Sequence, residues 1–436
     1  MVEENGPKRP KAGSLLGGRA MRHVRVLSVD IGPRGSCTAA DHRGSRYIAG
    51  QAERFGAKVE MERFRSYTSF SWPYALIYLL GSLAGFAVLW SPAIGLVAGL
   101  LMLVIFYLQN TSLLDIGAIF PQWPTENVVA VLPPKGNAAD AGPPSDGAAP
   151  PATAATARPI RRVVLVAHHD TSRSSIAFSP SQVKNFRLTF LLMAAAFALT
   201  PVAALLALIA GRVVAGSAAS GPWAWLSAVR WLGLFPEIYL FASVGLIAHR
   251  ELTGVYTHGA ADNASGVGVV LAVAEELATS GALANTEVWC TFTGGEEVGQ
   301  TGMVDFVRRH GAGLRDAFFI NLDNVGAGAV RFATGEGMLG VKPCDPALVS
   351  VARSVAGEHP DWDLQGVPVT IMTTDANVLL FRGYKVISLR AEDEQRLLPN
   401  WHWPTDIYEN VDPATVERCA EVLREMVLAL DRAGIT

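Results

Sequence analysis

The sequence predicts an α/β fold in which a buried sheet is flanked by helices and the chain is interrupted by two transmembrane helical hairpins. Three observations carry this. Arg162–Ala167 is a continuous apolar run of the kind buried on both faces of a sheet. Downstream of Arg250, strand-like runs alternate with helical periodicity. Residues 66–114 and 188–211 contain no charged side chain.

Composition narrows the class. The chain has 436 residues, 50% of them hydrophobic and 17% charged. That is too apolar for a wholly soluble protein, and its second half is too polar for a pure transporter. A net charge of −3 gives no basis for nucleic-acid binding. The four cysteines (Cys37, Cys290, Cys344 and Cys419) form no CxxC pair and no disulfide-like cluster. The N-terminal stretch is polar and basic, so no cleavable signal peptide is expected.

In chain order, residues 1–25 are rich in Gly, Lys and Arg and are expected to be a flexible tail. Val24–Ile31 reads as a short extended piece. Ala39–Phe55 reads as a helix with Tyr47, Ile48 and Phe55 on its apolar side, and Lys58–Phe64 alternates as a strand. The first soluble segment is therefore 26–65.

Residues 66–114 come next. A spanning helix needs about 20 residues, so there is room for two, with Trp90-Ser91-Pro92 as the turn. Trp72, Tyr74 and Tyr107 sit where interfacial aromatics belong. Residues 115–184 return to soluble character, with a strand at Glu126–Leu132 and an Ala/Pro/Gly/Asp linker at 133–159, expected to be disordered. Arg162–Ala167 then leads into His168-His169-Asp170. A second hairpin is placed at 185–249: Leu188–Gly211 is a strong spanning candidate. Pro222–Ala248 is weaker, because Arg230, Pro236 and Glu237 interrupt it. From residue 250 to 436 the chain is soluble α/β, with strands at Glu287–Phe292, Ala317–Leu322 and Lys385–Leu389 and a last helix from Pro413 to about Asp431.

Five sites at strand ends or in loops carry the chemistry: His168 with Asp170, Asp262, the pair Glu296-Glu297, Asp323, and His402. In open α/β sheets such ends face one crevice. Two histidines and three carboxylates suit a pair of divalent cations, and the imidazoles favour zinc. Asp262 lies in His258-Gly-Ala-Ala-Asp-Asn-Ala-Ser-Gly266, directly before the helical run Val267–Leu277. At that junction a carboxylate can present its two oxygens to two different cations. Asn263 and Ser265 are helix-capping types. His168 and Asp170 point the same way from an extended segment, so Asp170 can orient the His168 ring. His169 points the other way and reads as structural. Glu296 and Glu297 need separate roles: one can ligate while the other acts as general base towards a metal-bound water.

The order HxD, DNASG, EE, NxD and a late His resembles the di-zinc aminopeptidases of metallopeptidase clan MH, of the bacterial leucyl aminopeptidase and aminopeptidase Y type. The resemblance runs over Ala167–Thr171, Gly259–Gly266, Gly295–Gly302, Asn321–Gly326 and the His402 segment, and more weakly over Gly32–Ser36. It implies a three-layer zinc-exopeptidase (phosphorylase/hydrolase-like) fold with a mixed sheet. It implies two Zn²⁺ ions, with Asp262 bridging them, His168 and Asp323 completing one site, and Glu297 and His402 the other. Glu296 matches the general base, and Asp170 the aspartate behind the first histidine. The implied reaction is removal of N-terminal residues from peptides with a free N-terminus by attack of a water shared between the cations. His169 departs from the more usual tyrosine, and Thr374–Asn377 fits the family's substrate-pocket region only loosely.

Under that resemblance His168 and Asp262 meet at one metal on either side of the second insert. All soluble pieces then share one side of a bilayer, and each insert crosses an even number of times, four spans in total. Arg63, Arg65, Lys184, Arg187 and Arg250 flank the hairpins on the domain side, which points to an integral membrane protein, of the bacterial inner-membrane type, with a cytoplasmic catalytic domain. The alternatives are a single-zinc acyltransferase resembling glutaminyl cyclases, and a non-catalytic receptor or transport subunit with a peptidase-like fold. No oligomeric state is legible.

Overall fold

The structure, a computed structural model, describes residues 14–134, 161–215, 231 and 233–432. The chain opens with α1 (Leu15–Arg25), capped by Ser14, whose hydroxyl accepts from the Gly17 amide, and continues through a π-helical turn at Val26–Ile31. The described part of the expected tail and the whole expected extended piece are thus helical. Leu16, Ala20 and Val24 recur every four residues and are buried, a period masked in the sequence by the intervening Gly and Arg.

The sheet-bearing body then runs α2 (Ala39–Arg54), β1 (Lys58–Ser66), β2 (Trp123–Leu132) and β3 (Arg161–His168). Between β1 and β2 lie α3 (Ser71–Ala87) and α4 (Pro92–Asn110). After β3 come α5 (Phe186–Ala215) and α6 (Leu234–Thr253). The remainder is α7 (Ser265–Ser280), β4 (Thr286–Thr293), α8 (Thr301–His310), β5 (Phe318–Leu322), β6 (Ala329–Glu336), β7 (Lys342–Pro343), α9 (Pro346–Glu358), β8 (Gln365–Val369), α10 (Asp375–Phe381), β9 (Lys385–Glu392) and α11 (Pro413–Arg432).

The strands form one mixed sheet in the order β1-β2-β4-β3-β5-β9-β6-β7, with β8 also paired to β6. Its centre, β4-β3-β5-β9, is parallel, while β1-β2-β4 and β9-β6 are antiparallel. β3 shows why a continuous apolar run was needed. Val163, Leu165 and Ala167 join the core under α1, α7 and α11, and Val164 and Val166 join the opposite core with Phe306 and Phe319. The expected three-layer arrangement of sheet and flanking helices follows. The strands β6, β7 and β8 are not called by the sequence; Gly335, Gly337, Gly366 and Pro368 break their alternation.

The helices α3 to α6 pack on one another. Their shared core holds Ile77, Tyr78, Phe106, Phe190, Phe197 and Leu240, with Phe106 stacked on Phe197 at 4.5 Å between ring centroids. Glu237 is buried among them; Thr200 donates to its Oε1 at 2.5 Å and the carboxylate occupies space that a side chain at Gly85 would fill. Two helical stretches, Pro92–Asn110 and Val183–Val213, are long and apolar enough to cross a membrane. α3 has 17 residues, and α6 carries Glu237, Arg250 and Glu251. Of the four expected spans, two therefore meet the criterion among the described residues. The turn of the second hairpin, Arg230 included, and nearly all of the 133–159 linker lie outside the described residues. Arg250 is buried rather than flanking: it donates to Ser71 and Ser172 and covers the Phe70 ring at 4.1 Å.

Candidate metal centre

Because β3, β4 and β5 are parallel, their C-terminal ends open on one edge of the sheet. His168 is the last residue of β3. β4 ends at Thr293 and Gly294-Gly295 turns the chain so that Glu296 and Glu297 lie over that edge. Asp323 follows β5 directly. Asp262 comes from the loop before α7. Gly259 in that loop has φ +61, the left-handed region that favours glycine, and a Cβ there would meet Thr171 and the Asp262 carbonyl. His402, from the loop before α11, completes the ring.

All of these side chains are buried. His168 Nε2 is 3.1 Å from Asp262 Oδ1 and 3.8 Å from Asp323 Oδ2. His402 Nε2 is 3.1 Å from Asp262 Oδ2 and 3.1 Å from Glu297 Oε2. The donors thus fall into two sets, His168-Asp262-Asp323 and Asp262-Glu297-His402, each with its atoms within 4.8 Å of one another. Each set takes a different oxygen of Asp262. Ligands of a tetrahedral zinc with bonds of about 2.0–2.1 Å are separated by roughly 3.3 Å, which matches these spacings. Glu297 Oε1 and His402 Nδ1 are buried without a hydrogen-bond partner. The residues present therefore fit a pair of cations. Glu296 reaches neither set as closely: its Oε2 is 4.0 Å from His168 Nε2, and Gln300 donates to its Oε1 at 3.3 Å.

The electrostatics follow from so much buried negative charge. Burial holds the Glu296 carboxyl well above the usual carboxylate range, and neighbouring Asp323, Asp375 and Glu297 add to the effect. Burial alone would lower His402, yet Glu297 and Asp262 raise it to about 9.

Asp170 does more than stand behind His168. The ring Nδ1 of His168 pairs with the Asp170 backbone carbonyl at 3.2 Å, with the carboxylate at 3.6 Å. The carboxylate itself accepts the amides of Glu296 and Glu297, each at 3.2 Å, and the Ser36 hydroxyl at 2.5 Å. His169 points away as expected: its Nδ1 is 3.0 Å from Asp41 and its Nε2 3.1 Å from the Glu126 carbonyl. Asn263 caps α7 by accepting the Gly266 amide.

Two residues beyond the expected set support the site. Asp406 accepts the amides of Ala261 and Asp262. Arg34, fully buried, donates to the carbonyls of His169, His258 and Gly259. Asp406 stood in the His402 segment and Arg34 in Gly32–Ser36, so the signal was there only as neighbours of a motif.

Residues 242–427 match the model of peptidase family M28. That stretch resembles peptidase family M28. The matched stretch contains five of the candidate residues, Asp262, Glu296, Glu297, Asp323 and His402, whereas His168 and Asp170 precede it. No curated protein matches the chain. Its fold is similar to that of a Zn-dependent exopeptidase from Parabacteroides distasonis (TM-score 0.50, 16% identity, covering 95% of this chain and 97% of that one). It is similar also to a glutaminyl cyclase from Porphyromonas gingivalis (0.53, 15%, 96% and 99%) and to an aminopeptidase from Aneurinibacillus (0.52, 12%, 95% and 93%). The family match and the donor set together make this chain a zinc metallopeptidase.

A cavity of about 180 Å³ lies on the centre. Asp262, Glu296, Glu297, Asp323 and His402 form its polar floor. Its apolar wall comes largely from the inserts: Tyr74 and Tyr78 of α3, and Phe186 and Phe190 of α5. Met338, Met372 and Thr373 close it, the last two just ahead of the Thr374–Asn377 segment.

Proposed function

We propose that the protein is a membrane-anchored di-zinc aminopeptidase that removes apolar N-terminal residues from peptides. The observation that carries this reading is the position of Asp262 between His168 and His402, one oxygen 3.1 Å from each ring. Two zinc ions in these sets would supply Lewis acidity to the scissile carbonyl and to the attacking water. His168, Asp262 and Asp323 hold one cation; Asp262, Glu297 and His402 hold the other. Glu296, outside both sets, takes the proton of the attacking water and returns it to the leaving amine. Asp170 fixes the backbone of the Glu296-Glu297 loop, so the base and the ligand keep their separate aims. The apolar wall receives the first side chain of the substrate.

The membrane reading rests on exposure. Over an apolar 18-residue stretch of each, the two helices are only 28% and 33% buried, unlike the core helices of a soluble protein. Val97 (69% exposed), Leu101 (57%), Ile209 (52%) and Phe241 (58%) make the bundle's outer surface apolar. Lys184 and Arg187 at the domain end of α5 favour a cytoplasmic catalytic domain, against Arg212 at the far end of that helix.

The test is hydrolysis of a panel of aminoacyl chromogenic amides by the detergent-purified chain, with zinc content measured beside it. Turnover with about two zincs per chain supports the reading. A single zinc, with cyclisation of N-terminal glutamine in place of hydrolysis, would move the protein to the glutaminyl cyclase class, whose fold it shares. Neither metal nor turnover would leave a non-catalytic membrane subunit.

A further inference from the structure

A second cavity, about 490 Å³, lies where the α4 end meets the sheet-bearing body. Five guanidinium groups line it: Arg63 and Arg65 from edge strand β1, Arg308 and Arg309 from α8, and Arg382 after α10. Arg63 and Arg65 stand two apart on a strand, so both face the same way. Two carboxylates share the cavity, and both are engaged. Asp305 accepts from Arg308 at 2.5 Å and Arg309 at 2.6 Å, and Asp115 accepts from the Tyr67 hydroxyl and the Gly117 amide. Among the described residues, Arg382 donates only to the carbonyls of Val378 and Ser112, and Arg65 only to that of Gln122. Arg63 makes no side-chain bond among the described residues. Among the described residues three guanidiniums therefore lack a carboxylate partner, in a concave site with an apolar lip.

That lip is Leu113 and Leu114, directly past the last turn of the spanning helix α4, with Leu113 exposed. In a membrane-inserted chain this is headgroup depth. A site offering apolar contact at the bilayer boundary and unpaired guanidiniums towards solvent matches a phosphodiester joined to acyl chains. We infer that this cavity binds the phosphate headgroup of an anionic phospholipid and seats the catalytic body against the membrane. The inference rests on the membrane reading above.

The full chain, purified in a neutral detergent and stripped of lipid, is titrated with phosphatidylglycerol, with phosphatidylcholine and with inorganic phosphate, following the unfolding temperature. Phosphatidylglycerol raises Tm by several degrees, phosphatidylcholine and phosphate much less, and salt weakens the effect. The double variant Arg63→Gln/Arg65→Gln, whose side chains lie on an exposed edge, loses roughly tenfold or more in apparent affinity for phosphatidylglycerol. Equal shifts with both lipids, or an unchanged variant, overturn the inference. An equal shift with phosphate alone overturns it too, in favour of a free-anion site. Carbonate extraction of native membranes reads the membrane placement separately: a chain released by carbonate sinks the placement itself, whereas a retained chain without lipid selectivity sinks only the headgroup site.

Discussion

Asp406 holds the loop that presents Asp262: its Oδ2 accepts the Asp262 amide at 3.2 Å and its Oδ1 the Ala261 amide at 2.6 Å. One buried carboxylate thus fixes the backbone of another that must face two histidines at once. Asp406→Ala leaves two buried amides unpaired and frees the Asp262 side chain to rotate. Zinc affinity should fall roughly 10–100-fold, measured by competition with a chromogenic chelator. Activity should return with excess zinc. Unchanged affinity would mean that the loop is held by other contacts, such as those of Arg34.

Glu296 and Glu297 separate in the same experiment. Glu296→Gln should lower kcat about 10²–10⁴-fold with zinc content retained. Glu297→Gln should lose the cation shared with His402 and, with it, activity. Equal metal loss in both variants would contradict the separate roles.

The inserts should set specificity. Phe190 and Tyr78 project from α5 and α3 into the substrate cavity. Phe190→Ala should raise KM for leucyl and phenylalanyl substrates by roughly tenfold, the scale of a few lost apolar contacts, with little change for alanyl substrates. A uniform loss across the panel would place the side-chain pocket elsewhere.

Acid should loosen α1. Burial, reinforced by Arg22, lowers His23 from 6.5 to about 4, while its Nδ1 pairs with the Tyr47 hydroxyl at 2.7 Å. The folded state thus prefers the neutral ring. The stabilisation is full above pH 6.5 and is lost as the pH falls through 4, a total of roughly 3 kcal/mol. Tm measured across this window should fall less steeply in His23→Gln than in the wild type.

Much of the fold and most of the site were legible because their signals are local. A strand buried on both faces must be apolar throughout, as Arg162–Ala167 is, and a parallel sheet must place its loop residues at one edge. Hence the two histidines and four acids could be read in order, with Asp170 on the same face as His168. The two long apolar helical stretches were legible for the same reason, since each is an uninterrupted apolar run.

Other features depend on partners far away in the chain. Leu15–Ile31 is helical because Leu16, Ala20 and Val24 find an apolar surface on α7 and α11, beginning about 240 residues later. Arg250 is buried because Ser71 and Ser172 receive it, and Asp406 matters because it meets the amide of Asp262. Residue type and spacing declared which chemistry was available and which segments were strands or long apolar helices. Folding sorted the donors into two sets, gave Asp170 its hold on the Glu296-Glu297 loop, and walled the cavity over them with the inserts, because burial and hydrogen-bond pairing are settled by contacts that no local pattern encodes.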